Sequence, residues 1–403
     1  MRIAQIDVNY NFSSTGKIVA DLAAGLDERG HSTLVCFGRG SDPNVNDVHR
    51  ISSRAEVLLH ALGTRVTGLT DGFSPFSTRR LIEHLERFMP DVVHLHDLHG
   101  YYVNISSVVD YLKNKRIPTL WSFHCEFMYT GKCGVAFDCD KWKTECEDCP
   151  RLKEYPKSWF FDFTNRMFRE KQLLFADFER VRLVAPSEWL AGRMRQSIVR
   201  EKPIDVIPNG LDVNTFHRCD TKELRSTLGI KKEYVVLAVG ADLFSENKGG
   251  RWVLDIASHN PESGIVFVMV GVEKMPKQIP ANVRIVPRIF DQRLLAKYYS
   301  MADVLLLTSS KETFSMVSAE SLACGTPVIG FDSGAPKEVA LPGYGKFVPY
   351  ADLDALESLL LRVKAGEITF MSSAACVQFA RDRYSKDFMV KAYESLYRQL
   401  IIS

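Results

Sequence analysis

The sequence lacks the features of a secreted or membrane-spanning chain. No apolar run reaches the roughly 18 residues that a membrane-crossing helix needs. The opening residues, MRIAQIDVNYNF, have no basic start followed by an apolar run and a small-residue cleavage site, so no signal peptide is predicted. We therefore expect a cytoplasmic chain whose nine cysteines are reduced rather than paired in disulfides.

A strong charge of either sign is also missing. The formal net charge is +2, which gives no support to nucleic-acid binding. Locally, residues 166–202 carry nine lysines and arginines against five acidic residues. This basic stretch has two interpretations: a solvated helix face, or a patch that contacts the anionic head groups of a membrane from its cytoplasmic side.

The sequence does contain the pattern of two α/β domains. At 403 residues the chain is too long for a single hydrophobic core. Strand-like apolar runs alternate with amphipathic stretches, which predicts βαβ units and doubly wound parallel sheets. The alternation pauses near residues 203–218. The runs are RIAQIDV, DVVHLHD, IPTLWSFH and VRLVAPS before the pause, and EYVVLAVGA, GIVFVMVGV, ADVLLLTSS and TPVIGFDS after it.

This pause divides the chain into two predicted domains, 1–202 and 203–403. A cysteine-rich insert at about residues 125–160 interrupts the first domain. The last helix, 384–403, is amphipathic, and we expect it to pack back on the first domain. Ligands of open α/β sheets bind at the carboxyl ends of the strands, so two such domains facing each other would form a cleft.

Residues 311–339, which begin KETFSMVSAESLACG, carry the strongest local signal. Glu312 comes just after the apolar run ADVLLLTSS, and therefore just past the carboxyl end of a strand. A helix is predicted to start near Ser315 or Ser318 and to place Glu320 about two turns beyond Glu312. Such carboxylates accept hydrogen bonds from vicinal hydroxyls, and the N–H groups at a helix start can bind a phosphate. An acidic pair alone would be a weak signal, because surface helices are rich in glutamate.

With its glycines and Pro327, this stretch resembles the E-x7-E signature of retaining, nucleotide-sugar-dependent glycosyltransferases of family four. That family has the GT-B architecture of two facing Rossmann-like domains. More narrowly, HDLHGYYVN and CDKWKTECEDCPRLKEYPKS resemble segments of enzymes that build colanic acid and other bacterial exopolysaccharides. The resemblance extends over most of the chain, and its further segments are STGKIVADLAAGLDERGH, PDVVHLHD, APSEWLAG, VIPNGLDVNTF and LFSENKGG.

The resemblance implies roles for residues of the second domain. Glu320 would bind the ribose hydroxyls of the nucleotide, and Glu312 would contact the transferred sugar near the reacting centre. Lys248 would pair with the diphosphate and neutralise the charge that develops as it leaves. The alternative for Lys248 is a solvated loop lysine. Backbone N–H groups that would bind sugar and phosphate belong to Phe314, Ser315 and Met316.

Two positions in the second domain remain open at this point. Arg288 falls where the family holds the nucleotide base through backbone contacts, so its side chain has no assigned role. The family also has a phosphate-binding arginine where this chain has Ala241 and Asp242. Either Lys248 carries the leaving-group charge alone, or another arginine such as Arg251 compensates.

In the first domain the resemblance points to Gly16, His124 and Asp97. Gly16 would lie close to the diphosphate and the acceptor. His124 ends the strand TLWSFH and would stabilise positive charge at the anomeric carbon of the sugar. Its alternative is a histidine with a structural hydrogen bond, the more common case at a strand end. Asp97 would approach a hydroxyl of the acceptor.

Catalytic metal is not expected. His94, His96 and His99 have a spacing that suggests a metal site, but alternate residues of a strand point to opposite faces, so a shared ion is not predicted. No Asp-x-Asp motif, which marks the other glycosyltransferase fold, follows a predicted strand.

The implied reaction moves a sugar from a nucleoside-diphosphate donor to a saccharide. The diphosphate leaves the anomeric carbon, and the acceptor hydroxyl attacks from the same face and gives its proton to the leaving phosphate. We expect a growing, lipid-linked acceptor at the inner face of the cell membrane. The donor base stays open between UDP and GDP.

Four cysteines of the insert resemble the ligands of a structural zinc site. Cys133, Cys139, Cys146 and Cys149 have the spacing C-x5-C-x6-C-x2-C, with Cys125 as a possible substitute ligand. Four soft thiolates would give a closed tetrahedral site that stiffens the loop after the strand TLWSFH. The alternative is four reduced cysteines in a loop, because the spacing is not that of a standard zinc knuckle.

Three other functions compete with glycosyl transfer. A sugar-nucleotide epimerase or a phosphorylase could use the same fold. A non-catalytic protein that binds nucleotide sugars is also conceivable, because the phosphate-binding arginine is missing. A dinucleotide-dependent oxidoreductase would need G-x-G-x-x-G after the first strand, and NFSSTGK does not have it.

Overall fold

The computed structural model describes residues Met1–Ile402. These residues form two compact units, each built around a parallel β-sheet. The first unit contains Met1–Pro208 and the chain from Met389 onward, and the second contains Asn209–Phe388. The chain therefore first passes from one unit to the other after Pro208, inside the stretch 203–218 where the strand pattern pauses.

The described strands and helices alternate along most of the chain. The strands are β1 (Arg2–Asn9), β2 (Ser32–Arg39), β3 (Val48–Arg50), β4 (Val92–Leu95), β5 (Thr119–Ser122), β6 (Val181–Ala185), β7 (Ile204–Val206), β8 (Tyr234–Val239), β9 (Ile265–Val270), β10 (Val283–Val286), β11 (Val304–Leu307), β12 (Val328–Phe331) and β13 (Gly345–Val348). The helices are α1 (Ser13–Asp27), α2 (Arg54–Thr67), α3 (Pro75–Phe88), α4 (Ile105–Asn114), α5 (Thr164–Ala176), α6 (Glu188–Met194), α7 (Lys222–Thr227), α8 (Gly250–His259), α9 (Gln292–Met301), α10 (Met316–Ala323), α11 (Pro336–Val339), α12 (Leu353–Lys364), α13 (Ser373–Tyr384) and α14 (Lys386–Ile402).

The sheet of the first unit has the strand order β3-β2-β1-β4-β5-β6-β7, and its strands are parallel. β4 and β5 are buried along their whole length, as expected for apolar strands that have helices on both faces. The strand order reverses between β1 and β4. In open α/β sheets, ligands bind outside the carboxyl ends of the strands at such a reversal.

The last helix, α14, packs on the first sheet and on α1. Its apolar face, which includes Met389, Tyr393 and Leu396, is buried together with Ile3 of β1 and Leu22 of α1. A Cβ atom built on Gly25 would lie only 2.6 Å from Cγ2 of Val390, so a larger residue in α1 would force the two helices apart.

A buried chain of hydrogen bonds ties α14 to the middle of this sheet. The two ring nitrogens of His94 lie 2.7 Å from the Tyr397 hydroxyl and 2.8 Å from Oγ of Ser122. That Oγ lies 2.9 Å from the hydroxyl of Tyr393. Burial lowers the pKa of His94 well below its ordinary value, and the nearby His124 lowers it further. His94 is therefore neutral in the folded unit at neutral pH.

The sheet of the second unit has the order β10-β9-β8-β11-β12-β13, with its reversal between β8 and β11. Close packing between β11 and β12 depends on Gly330, because a Cβ atom there would lie 2.2 Å from the carbonyl oxygen of Leu307. At the carboxyl ends of β8 and β9, Gly271 has a φ of +93° and approaches the carbonyl of Gly240. The ends of the central strands are therefore drawn tightly together.

None of the described helices combines the length and the apolar character needed to cross a bilayer.

The buried, neutral His94 makes the stability of the first unit depend on pH. Below the ordinary histidine pKa of about 6.5, the unfolded chain binds a proton that the folded unit does not bind. The contribution of His94 is therefore fully present above about pH 6.5 and is lost as the pH falls. Between about pH 6 and pH 5, His94 should lower the free energy of unfolding of the wild type by about 1.4 kcal/mol per pH unit. We expect His94→Gln to lack this contribution, so that its free energy of unfolding falls less steeply over the same range.

The measurement is urea unfolding at a series of pH values, followed by tryptophan fluorescence. Four of the five tryptophans lie in the first unit, and Trp252 lies in the second. His259→Gln is the control, because the hydrogen bond that His259 donates to the carboxylate of Glu357 raises the pKa of His259, so removing His259 does not reduce the loss of stability at acid pH. Equal slopes for wild type and His94→Gln would show that His94 is not held neutral by burial.

Candidate active site

An ion pair joins the two loops that leave the reversal point of the second sheet. Lys248 lies on the loop after β8, and Glu312 lies on the loop after β11. Nζ of Lys248 is 2.6 Å from Oε1 of Glu312, and the two side chains are 26% and 13% exposed. Both predicted residues thus meet at the carboxyl ends of neighbouring strands, and each side chain remains in reach of solvent.

Asn247 fastens these two loops to each other. Its side-chain N–H₂ donates to the carbonyl of Lys311 at 3.0 Å, and its Oδ1 accepts from Oγ of Ser310 and from the N–H of Lys311. Oγ1 of Thr308 donates to the carbonyl of Lys248 at 2.9 Å. Side chain and backbone together therefore fix the position of the ion pair.

A second contact holds Glu312 from the other side. The backbone of Glu312 forms a parallel bridge with Gly334, in which its N–H donates to the carbonyl of Ser333 at 2.8 Å. The N–H of Ala335 donates to the carbonyl of Glu312 at 3.1 Å. The backbone near Gly334, late in the 311–339 stretch, therefore holds the backbone of Glu312 in place.

The start of α10 leaves backbone donors available. Ser315 caps the helix in a left-handed conformation, with a φ of +91°, and its hydroxyl pairs with Ser318 rather than with a backbone N–H. Within Met1–Ile402, no acceptor is recorded for the N–H groups of Phe314, Ser315 and Met316. The Phe314 ring is buried against Tyr384, so this residue can offer a ligand only its backbone. Free donors and the helix dipole suit an anion.

Glu320 lies on α10 and is held by a residue of α9. The hydroxyl of Tyr299 donates to Oε2 of Glu320 at 2.7 Å. Burial raises the pKa of Tyr299 well above its ordinary value, and the adjacent carboxylate of Glu320 raises it further, so the phenol stays protonated and acts as the donor. One carboxylate oxygen is thereby fixed in position.

Arg288 lies at the edge of the same sheet. It follows β10 at the edge of the sheet, two strands from β8, and its guanidinium stacks over the exposed ring of Phe290 at 4.9 Å. Asp242, at the position of the family's arginine, builds a turn by accepting from the N–H of Phe244 at 3.1 Å. Arg251 lies in the first turn of α8 and is exposed.

In the first unit, Gly16 and Asp97 lie at the reversal between β1 and β4. A Cβ atom on Gly16 would lie 3.1 Å from the backbone of Asn9, so the first turn of α1 packs closely on the end of β1. Oγ1 of Thr15 donates to Oδ2 of Asp97 at 3.3 Å. The N–H of Asp97 donates to Oδ1 of Asp7 at 3.0 Å. Two carboxyl groups therefore meet at this point.

The buried member of this pair is protonated more easily than an ordinary carboxyl. Burial raises the pKa of Asp7 well above its usual range, and the charge of Asp97 raises it further. Asp7 therefore accepts the backbone N–H of Asp97 and holds the loop after β4 in place.

His124 follows β5 and forms part of a line of buried side chains. Its Nε2 lies 3.1 Å from Nδ1 of His96, and the two rings are stacked with centroids 5.4 Å apart. Nε2 of His96 in turn lies 3.2 Å from Oε1 of Gln5 on β1. Burial lowers the pKa of His124, while Asp97 partly opposes this effect. A buried polar network can hold the His124 ring in one orientation.

The three histidines of the HLHDLH segment have separate partners. His94 bonds within the core, His96 bonds to Gln5 and His124, and His99 lies 3.6 Å from Oδ1 of Asp97. Within Met1–Ile402, ligand atoms of Asp97, His99 and Cys125 all lie within 4.8 Å of one another. This group belongs to the same end of the sheet as His124.

The four cysteines of the insert, Cys133, Cys139, Cys146 and Cys149, lie on the loop between β5 and α5, and none forms a disulfide. Glu126 anchors the start of this loop. Its buried carboxylate accepts from Arg193 at 2.6 Å, from the Tyr129 hydroxyl at 2.8 Å and from the N–H of Ala136 at 2.6 Å. The insert is therefore fixed where it leaves the His124 region.

The basic stretch 166–202 is largely neutralised by acidic partners. Arg193 pairs with the buried Glu126, and Arg182 forms two bonds to Asp205. Other pairs are Arg166–Glu170, Arg169–Glu145, Arg195–Glu188 and Arg200–Glu201. These contacts favour the first interpretation of this stretch, a solvated and ion-paired surface.

Three supporting residues were not identified from the sequence. Asn247 lies in the segment LFSENKGG, but the sequence pattern does not indicate that its side chain bonds to the loop after β11. Tyr299 and Asp7 lie far along the chain from Glu320 and Asp97, so only the fold brings them together.

Comparisons with known proteins match this arrangement. The family described as Glycosyltransferase Family 4 matches residues 15–215, and the family described as Glycosyl transferases group 1 matches residues 233–364. Over 420 aligned residues, the chain is 25% identical to WcaC of Escherichia coli K12, which is described as a glycosyl transferase of colanic acid biosynthesis. The alignment covers 99% of this chain and 100% of WcaC.

Solved structures show the same fold. Sucrose-phosphate synthase of Thermosynechococcus elongatus superposes with a TM-score of 0.72 at 18% identity, over 100% of this chain and 99% of that chain. HepE of Anabaena, solved with UDP-glucose, gives a TM-score of 0.67 at 16% identity, over 99% and 100% of the two chains. With its two parallel-sheet units, its E-x7-E stretch and these matches, the chain belongs to the family 4, group 1 glycosyltransferases of the GT-B fold.

Proposed function

We propose that this glycosyltransferase moves a sugar, with retention of anomeric configuration, from a nucleoside-diphosphate sugar to a lipid-linked saccharide during synthesis of a bacterial exopolysaccharide or O-antigen. The observation that carries the donor part of this proposal is the Lys248–Glu312 pair at the sheet reversal of the second unit. The relationship to WcaC supports the exopolysaccharide part. UDP-glucose in HepE makes a uridine nucleotide the donor to test first.

In this proposal the second unit holds the donor. The free N–H groups at the start of α10 bind the phosphates, and Lys248 turns from Glu312 toward the diphosphate. Glu312, relieved of its lysine, accepts hydrogen bonds from the sugar hydroxyls. Glu320 accepts bonds from the ribose, and the Tyr299 hydroxyl keeps its carboxylate aligned.

The chemical step breaks the bond between the anomeric carbon and the β-phosphate oxygen. The acceptor hydroxyl forms the new bond on the same face, and its proton passes to the leaving phosphate. Negative charge grows on the diphosphate, where Lys248 offsets it, and positive charge grows on the sugar ring. A neutral His124, held by His96, can stabilise that ring with the lone pair of a ring nitrogen. Asp97 would orient the acceptor hydroxyl.

An exposed apolar surface on the first unit supports the lipid-linked acceptor. Helix α2 exposes Leu58, Leu59, Leu62 and Val66, which share one helical face at i, i+1, i+4 and i+8. The segment 159–163 exposes Trp159, Phe160, Phe161 and Phe163. The two lie side by side, because the N–H of Trp159 donates to the carbonyl of Arg65 at 2.7 Å. We name these eight side chains the apolar surface.

The composition of the apolar surface suits a bilayer interface. Aromatic rings favour the head-group level, and apolar side chains on one face of a helix insert below it. Lysines and arginines close to it in the sequence, Arg54, Arg65, Lys153 and Lys157, would contact anionic lipids. This surface supports membrane contact better than the ion-paired stretch 166–202.

Loss of either transition-state partner should slow turnover. We expect Lys248→Ala and His124→Ala each to reduce kcat by about 10²–10³, the usual loss for one preorganised electrostatic partner. Lys248→Ala should also weaken donor binding, because the diphosphate is charged before the reaction, whereas His124→Ala should leave donor binding nearly unchanged. The measurement is acceptor-dependent release of nucleoside diphosphate, with a donor KM for each variant.

Controls separate the competing roles. Lys364→Ala removes an exposed lysine of α12 and should behave as wild type. Glu320→Ala should weaken donor binding by about 1.5–3 kcal/mol, and Tyr299→Phe by less, because it only loosens the carboxylate. Full turnover by His124→Ala would make the histidine structural. Conversion of the nucleotide sugar into an isomer without release of nucleoside diphosphate would favour an epimerase, nucleotide release without acceptor would favour a hydrolytic activity, and donor binding without any turnover would favour a non-catalytic protein.

The apolar surface should bind membranes. We expect the chain to co-sediment with vesicles of phosphatidylglycerol and phosphatidylethanolamine, and the triple variant Leu59→Ser, Phe160→Ser, Phe161→Ser to lose at least about tenfold in binding. Phe290→Ser is the matched control, because Phe290 is as exposed as Phe160 but lies in the second unit. Equal loss in the control, or no binding by the wild type, would contradict membrane contact through this surface.

A further inference from the structure

The insert between β5 and α5 holds four thiols and the buried ammonium group of Lys132 in a segment with little regular structure, and the buried Lys171 lies on α5 beside it. Its only helical turns among the described residues are two short 3₁₀ helices, Phe127–Tyr129 and Lys141–Lys143. Cys133 and Cys149 are close enough to interact electrostatically. Cys146 interacts electrostatically with Cys139 and Cys149. Thiols up to 16 positions apart in the sequence thus share one neighbourhood.

A backbone donor is directed at one of these sulfur atoms. The N–H of Gly131 lies 3.2 Å from Sγ of Cys146. A thiol is a weak acceptor, whereas a thiolate bound to a metal carries the negative charge that such donors stabilise. The backbone of the insert is therefore arranged for charged sulfur.

Two lysines supply the matching positive charge. Lys132 and Lys171 are 1% and 7% exposed, and within Met1–Ile402 neither ammonium makes an ion pair. Nζ of Lys132 donates to the carbonyls of Arg151, Leu152 and Glu154 at 3.2, 2.8 and 3.1 Å. Nζ of Lys171 donates to three carbonyls of residues 127–131. Carbonyls satisfy the hydrogen bonds of these groups but cannot neutralise their charge.

Both ammonium groups act electrostatically on the thiols, Lys132 on Cys133 and Cys149, and Lys171 on Cys146 and Cys133. Two buried positive charges are costly in a folded chain, and the nearby carboxylates Asp162, Glu154 and Asp71 act on them only from beyond ion-pair distance. A divalent metal with four thiolate ligands carries a net charge of about −2. Two lysines beside such a centre would neutralise its charge. A metal bound by the four thiolates would therefore account for the two buried lysines.

We propose that Cys133, Cys139, Cys146 and Cys149 bind one zinc ion in a closed, tetrahedral, structural site. On binding, the four thiols lose their protons to solvent and form four Zn–S bonds of about 2.3 Å. In the described chain no three of these sulfur atoms lie within 4.8 Å of one another, so the ion draws them inward. The closed site would stiffen the loop that leads from His124 to the apolar surface.

The first test is elemental analysis of the full-length, untagged protein by mass spectrometry. We expect about one zinc per chain, and well under half of that in Cys149→Ser. Cys219→Ser is the control, because Cys219 lies in the second unit and should leave the zinc content unchanged. Iron in place of zinc, or folded and metal-free wild-type protein, would overturn the proposal.

Two further measurements keep the test decisive if Cys149→Ser does not fold. Cobalt exchanged into the wild type should give the d–d bands of a tetrahedral site and the charge-transfer band of several thiolates. Iodoacetamide should alkylate the four cysteines only after a chelator removes the ion. Immediate alkylation, a disulfide among the four, or zinc that survives Cys149→Ser but is lost in His99→Ala would overturn the assignment. The last result would place the ion at Asp97, His99 and Cys125 instead.

Discussion

The ion pair between Lys248 and Glu312 is the interaction on which the candidate site depends. It forms because two loops leave neighbouring strands at the reversal of the second sheet, and Asn247 fastens one loop to the other. The pair neutralises both charges in the free protein, at a position where each stays in reach of solvent. A diphosphate that takes the lysine must therefore displace the carboxylate, and the carboxylate then becomes available to sugar hydroxyls.

The first unit places its polar residues at the equivalent position but secures them by burial. The backbone N–H of Asp97 donates to the buried carboxyl of Asp7. His124 contacts His96, which in turn contacts Gln5. Buried neutral histidines cost stability when they take up protons, so this arrangement suits a site that works near neutral pH. The second unit therefore presents a solvent-accessible ion pair. The first unit instead presents polar side chains that buried hydrogen bonds hold in place.

Much of this site could be read from the sequence because its signals are local. The run ADVLLLTSS followed by Glu312 predicts a strand end, and the E-x7-E spacing then fixes Glu320 on the following helix. Asn247, Tyr299 and Asp7 could not be predicted in the same way. Their partners lie between 21 and 90 positions away, and only the strand order decides which loops meet. Local pattern also gave no information on how the arginines of 166–202 would pair.

For Arg288 the family segment assigns base binding to the backbone, and this stays a prediction. Its side chain lies over the ring of Phe290 at the edge of the sheet, which agrees with a side chain that has no assigned role. The missing arginine at Ala241 and Asp242 has a clearer consequence. Without it, Lys248 is the cation that the structure places beside Glu312, and the site depends more strongly on that single charge.

The most direct measurement of this account is calorimetric binding of UDP to wild type and to Glu312→Gln. Glutamine keeps the shape of the side chain but no longer holds or neutralises Lys248. If Lys248 receives the diphosphate and Glu312 competes for it, Glu312→Gln should bind UDP about threefold to tenfold more tightly, because one repulsive charge is lost and one attractive charge is released. Adding Lys248→Met should abolish that gain. Unchanged or weaker UDP binding by Glu312→Gln would contradict the account, because Lys248 would then not be the group that holds the diphosphate.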